Sequence, residues 1–165
     1  MIGYLVVAVR CLLCCVLLVS TSTKLRDFPA FLTWLRRLRM VPERRIRQVG
    51  VLMTAIEAVT CVLVLLDLAG LVLAAVTMAF FAGATGYLVR RGITVPCRCF
   101  GAATAPMGMV EVARNSLLAL VATAAAVVSP QPVPPVPAII LAVLLGGGVG
   151  LVVTRLEDVR TLFVP

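Results

Sequence analysis

Five stretches of this 165-residue chain are apolar enough, at seventeen to twenty-one residues each, to cross a bilayer: 2–22, 49–66, 71–89, 110–129 and 138–154. A hydrocarbon core about 30 Å thick takes roughly 20 residues of helix. Lipid offers no partner to an open backbone group, so each stretch is predicted to be α-helical. Asp67-Leu68-Ala69-Gly70 is too short to let the second and third spans be anything but antiparallel neighbours. The fifth holds Gly146-Gly147-Gly148 and Gly150, a composition that invites close approach to another backbone. Charged residues make up only 13% of the chain and its mean hydropathy is +1.13, which excludes a water-soluble enzyme and a disordered chain. Aromatics at 5% do not supply the girdles of a membrane barrel. The predicted fold is an all-α integral membrane bundle of four or five transmembrane helices. The first span lacks a basic start and a clear cleavage site, so it reads as a retained helix rather than a signal peptide.

Two connecting segments have their own character. Over 28–40, Phe28, Phe31, Leu32, Leu35 and Leu38 recur at helical spacing beside Trp34, Arg36 and Arg37, which predicts a short amphipathic helix in the membrane interface with Arg39 snorkelling. Residues 130–137 hold five of the ten prolines and read as a stiff extended linker. The chain therefore divides into a four-helix membrane domain over 1–129, the linker over 130–137, and a fifth helix with a short tail over 138–165.

The net charge of +8 is distributed by topology. Fourteen of the fifteen Lys and Arg residues lie between spans one and two, between spans three and four (with Arg114 at the start of span four) or after span five, on what must be one side of the membrane, and only Arg10 lies near the middle of a span. The positive-inside rule puts that side in the cytoplasm and the N-terminus outside, in a multi-pass cell-membrane protein. Orientation and attraction to anionic lipid account for the basic residues, so the bilayer, and not nucleic acid, is the partner they indicate.

The chain has no histidine, which removes the commonest general base and metal ligand. Cys11, Cys14, Cys15 and Cys61 lie in apolar spans, where cysteine usually packs as a small hydrophobe. Cys97 and Cys99 belong to a loop over 92–109 outside the hydrocarbon, in the run Pro96-Cys97-Arg98-Cys99-Phe100-Gly101. Thiol–disulfide exchange needs a thiolate that a partner can reach. The loop supplies access, and Arg98 between the sulfurs favours the thiolate. A disulfide across one residue requires a local turn, which Pro96 and Gly101 help to set, and a strained bridge is easily reduced. Cys97 and Cys99 are thus the candidate catalytic pair of a membrane thiol–disulfide oxidoreductase, with a membrane quinone as the plausible electron acceptor. Two other readings stay open: a non-enzymatic assembly or scaffold subunit, and a Cu(I) site completed by Met107 and Met109.

Arg10 and Glu57 sit near the middle of the first and second spans. A lone charge there costs roughly 2.5–3.5 kcal/mol on insertion scales, so each needs a partner. Counted from the loop-side ends at Ser22 and Val49, they differ in depth by only about 6 Å, which predicts an Arg10–Glu57 pair. Arg114 and Asn115 open the fourth span, placed either to hold the cysteine loop or to anchor the helix end.

Lys24-Leu25 closing the first span, Pro42 before the second, Glu57 within it, Cys97-Arg98-Cys99-Phe100-Gly101 and Arg114-Asn115 together resemble the MauE/DoxX family of redox-associated membrane proteins. Arg10 also stands where DoxX-like members carry an arginine. The resemblance covers about residues 5–128. It implies a DoxX-like bundle in which Cys97 and Cys99 are the redox pair, with Glu57, Arg114 and Asn115 in support. In the methylamine-utilisation branch it implies assistance to disulfide formation in methylamine dehydrogenase, beside a thioredoxin-like partner. In that family the residue between the cysteines is commonly small, where this chain has Arg98.

Overall fold

The computed structural model describes residues 2–93, 108–128, 140 and 143–154. Helix α1 (Ile2–Arg26) is followed by a short helix α2 (Phe28–Arg37), a 3-10 turn (Glu43–Arg45), and helices α3 (Ile46–Leu66), α4 (Leu68–Arg90) and α5 (Met109–Val128). Four helices are long and apolar enough to cross a membrane. A shorter apolar helix, α6 (Val143–Thr154), forms part of the stretch read as a fifth span; the rest of that stretch, apart from residue 140, lies outside the described residues. The chain is an all-α membrane bundle, with no strand among the described residues.

Helices α1, α3, α4 and α5 pack in a ring, each against the next in that order, with α5 returning to α1. Their shared core is built from Leu13, Val16 and Leu17 of α1, Val64 of α3, Leu71 and Ala74 of α4, and Ala122 of α5, among others. On the opposite surface Val51, Val59, Val62, Leu66, Val76, Leu120 and Val127 are exposed. Large aliphatics thus cover the outside as well as the core, which is the surface lipid requires. Hydrocarbon gives no drive for apolar side chains to leave it, so small residues such as Ala74 and Ala122 and hydroxyls can share the helix seams with the aliphatics. Hydroxyls inside the helices are satisfied locally: Thr54 donates to the Gly50 carbonyl at 2.9 Å and Thr123 to that of Ala119 at 2.8 Å.

The turns are set by identifiable residues. Asp67 alone separates α3 from α4, and its carboxylate accepts from the Gly70 N–H at 2.9 Å as an N-cap. A side chain at Gly70 would collide with the backbone of Leu63 and Val64, so glycine is what permits so short a reversal. Asp27 caps α2 by accepting from the Ala30 N–H at 3.2 Å. Helix α2 ends at Arg37, earlier than its apolar pattern suggests, because Arg39 adopts a left-handed backbone (φ 52°) and Pro42 follows. Phe31, Trp34 and Leu35 of α2 are buried, and with Leu38, Ile46 and Leu88 they form a second apolar cluster at the end of the bundle.

Of the glycines in α6, Gly146 and Gly150 make the close approach expected of them. A Cβ at Gly146 would run into the Ala8 carbonyl, and one at Gly150 would stand 2.8 Å from the Cys15 Cβ, whereas Gly147 and Gly148 meet nothing. The four-residue spacing puts one face of α6 flat against α1.

Candidate functional site

The seam between α1 and α3 carries a layered series of polar and sulfur groups. On α1, Arg10, Cys14, Leu17, Thr21 and Lys24 follow one another at alternating spacings of four and three; on α3, Gly50, Thr54, Glu57, Cys61 and Val64 do the same. Each series forms one stripe of its helix, and the antiparallel stripes meet in layers.

The outermost layer is an ion pair. Lys24 Nζ donates to Glu57 Oε1 with both side chains almost wholly buried, and Lys24 also donates to Ser20 Oγ at 2.9 Å. Ser20 Oγ in turn donates to Glu57 Oε2 at 3.2 Å. Both carboxylate oxygens are thereby engaged. The Lys24 ammonium also lies 5.5 Å from the ring centroids of both Phe31 and Phe81, within cation–π range. An apolar cavity of about 120 Å³ opens beside it, with Phe31, Trp34, Phe80 and Phe81 among its walls.

One turn deeper along α3, Cys14 and Cys61 face each other with their sulfurs 3.2 Å apart. Deeper again, Arg10 Nη1 donates to the Val64 carbonyl at 2.7 Å.

This arrangement overturns the predicted Arg10–Glu57 pair. That expectation assumed that the first two spans begin level with each other at the loop side. In fact Ile46, Val49 and Met53 of α3 pack in the cluster around α2, so α3 starts well beyond the end of α1. The offset lifts Glu57 to the level of Ser20 and Lys24. Arg10 is left about 15 Å deeper than Ser20. Ser20 was not among the residues singled out from sequence, although its spacing of four from Lys24 places both on one face. Among the bundle cysteines, Cys14 and Cys61 are buried as expected, but they meet as a pair rather than packing separately.

Arg114 and Asn115 are buried within the first two turns of α5, at 8% and 6% exposure. Glu111, one turn before Asn115, is also buried and accepts from the Gly108 N–H at 2.5 Å. Sequence reasoning passed over it; the signal is an acidic residue three after Gly108, the residue that precedes the helix, because from there it can reach back to cap the helix.

Cys97, Arg98, Cys99, Phe100 and Gly101, with Met107 of the copper alternative, lie outside the described residues. The two ends of their loop are described. Helix α4 stops in a Schellman motif: Gly92 takes a left-handed backbone (φ 68°), its N–H reaches Val89 at 3.0 Å, and the Ile93 N–H reaches Leu88 at 3.1 Å. Ile93 then packs into the cluster around α2. At the other end Gly108 is held by Glu111. Chain direction puts both ends at the same end of the bundle as α2 and the Lys24–Glu57 layer. Among the described residues no group of three or more Cys, Asp or Glu could hold a metal ion.

A family model described as methylamine utilisation protein MauE matches residues 2–129. No curated protein and no solved structure matches the chain. The match takes in all four long helices, the cysteine loop and the buried pair between α1 and α3. On this evidence the chain is a multi-pass membrane protein that belongs to the MauE family.

Proposed function

We propose that the protein is a membrane thiol–disulfide exchanger whose working pair is Cys97 and Cys99. The family match across the loop carries this reading, and the pinned ends of the loop support it, because sulfurs that must be presented to a partner benefit from a fixed base. One loop thiolate attacks a sulfur of the partner's disulfide, and the partner's other sulfur leaves as a thiolate. The second loop thiolate then attacks the mixed disulfide, releasing the partner as a dithiol and leaving Cys97 joined to Cys99. Run backwards, the same steps pass a disulfide to the partner. Arg98 favours the attacking thiolate.

The partner is a thioredoxin-like protein or the thiols of a client, and the client class is that of the methylamine-utilisation branch: a protein such as methylamine dehydrogenase whose maturation needs disulfides. The distribution of basic residues supports a loop on the cytoplasmic face of the cell membrane. Glu57, Lys24 and Arg10 hold the α1–α3 seam and with it the frame that carries the loop, while Arg114 and Asn115 fix the start of α5 behind it. The test is partner trapping. Serine in place of the resolving cysteine leaves the mixed disulfide unresolved and accumulates it, serine in place of the attacking cysteine prevents it, and replacing both abolishes it. Equal capture of partner by the double variant refutes exchange and favours a scaffold that docks its partner without chemistry.

A further inference from the structure

Cys14 and Cys61 have no part in the loop chemistry, yet they form the closest thiol pair among the described residues. Their sulfurs are 3.2 Å apart, at 8% and 5% residue exposure, and the Cys61 thiol also approaches the Cys14 carbonyl at 3.6 Å. They tie two helices that are separated in sequence by α2 and its flanking turns. A disulfide holds its sulfurs about 2.05 Å apart, so closure asks for a movement of only about 1 Å, the scale of ordinary shifts between packed helices. Helix α6 lies against the neighbouring cysteines, with Gly146 facing the Cys11 Cβ and Gly150 facing Cys15.

From this geometry we infer that Cys14 and Cys61 are an intramembrane dithiol that a small uncharged peroxide closes to a disulfide, clamping α1 to α3. Burial selects the oxidant. A protein disulfide cannot be brought to sulfurs this deeply buried, whereas hydrogen peroxide is neutral and close to water in size. One sulfur attacks a peroxide oxygen, the O–O bond breaks, and a sulfenic acid and a water result. The second sulfur displaces the sulfenic hydroxyl, which leaves with the remaining thiol proton as a second water. Two thiols are oxidised to one disulfide and one peroxide is reduced to two waters. With the second sulfur already in place, capture outruns further oxidation of the first. Reduction by a small neutral dithiol reopens the pair. The clamp lies one turn from the Lys24–Glu57 layer and holds the same seam. It does not depend on the loop's exchange chemistry.

The experiment uses the full chain in lipid vesicles, with Cys97 and Cys99 replaced by serine and a site-specific protease sequence inserted after the exposed Met40. Without oxidant, cleavage separates the α1–α2 fragment from the rest on a non-reducing gel. After hydrogen peroxide the fragments stay joined, two thiols per chain are lost to alkylation, and dithiothreitol separates them again. C14S and C61S abolish the joining, and C11S and C15S retain it. Peptide mass spectrometry of the chain with its bundle cysteines intact identifies the Cys14–Cys61 linkage, independently of how the serine variants fold. Fragments that separate despite peroxide, joining that survives C14S or C61S, or a linkage through Cys11 or Cys15 would overturn the inference.

Discussion

One turn of α3 separates two layers that join the same pair of helices by opposite means. At Glu57 a carboxylate and an ammonium are enclosed together, with Ser20 bridging them and two phenylalanine rings flanking the ammonium. At Cys61 two uncharged thiols meet with little polar obligation. Each charge in the first layer is tolerable only because the other is present. The second layer loses little if either member is replaced by a small apolar group. The seam therefore has one layer that the bundle cannot half-remove and another that is free to carry chemistry.

The largest expected effect comes from breaking the first layer on one side. K24M or E57L leaves a buried charge without its partner and should cost about 3–5 kcal/mol, read as lost thermal stability and lost insertion yield in detergent or vesicles. K24M/E57L together should recover most of that loss, because the desolvation of both charges is removed with their attraction. A double variant as unstable as the singles would show that the charges serve more than each other.

An intermediate effect tests the packing beside the second layer. G146L drives a side chain into the Ala8 carbonyl, and overpacking of this kind costs about 1–3 kcal/mol. Cys11 and Cys15 should then become more reactive to lipid-soluble alkylating reagents, while G147L, which meets nothing in the structure, should leave their reactivity unchanged. The smallest effect belongs to the thiols themselves: C61A should cost about 1 kcal/mol, close to the average for a single substitution. A loss as large as that of E57L would contradict the contrast between the layers.

Much of this architecture is legible in the sequence because lipid imposes it residue by residue. Uninterrupted apolar runs mark the spans, Asp67 and Gly70 mark the tight reversal, and Gly92 marks the stop of α4. The pairing of Glu57 was not legible from depth counting, because the relative height of α1 and α3 is set by α2 packing under the start of α3, a tertiary fact with no local signature. The 4-3-4-3 stripe of small and polar residues on both helices does carry the information that these positions face each other. It does not say which faces which. Lys24 illustrates the same limit, since a lysine near the end of a span ordinarily snorkels to water, and here Glu57 and Ser20 draw it inward. The meeting of Cys14 and Cys61 was obscured by cysteine's ordinary habit of packing as a small hydrophobe.

Assigning exchange chemistry to the loop is tested most directly by reactivity toward a bulky, water-soluble maleimide applied to reduced protein in vesicles open to both sides. Cys97 and Cys99 should be labelled rapidly, with Cys14 and Cys61 modified only after the bundle is unfolded. Rapid labelling of Cys14 and Cys61 in the folded bundle, or loop thiols that stay unreactive until unfolding, would contradict the account.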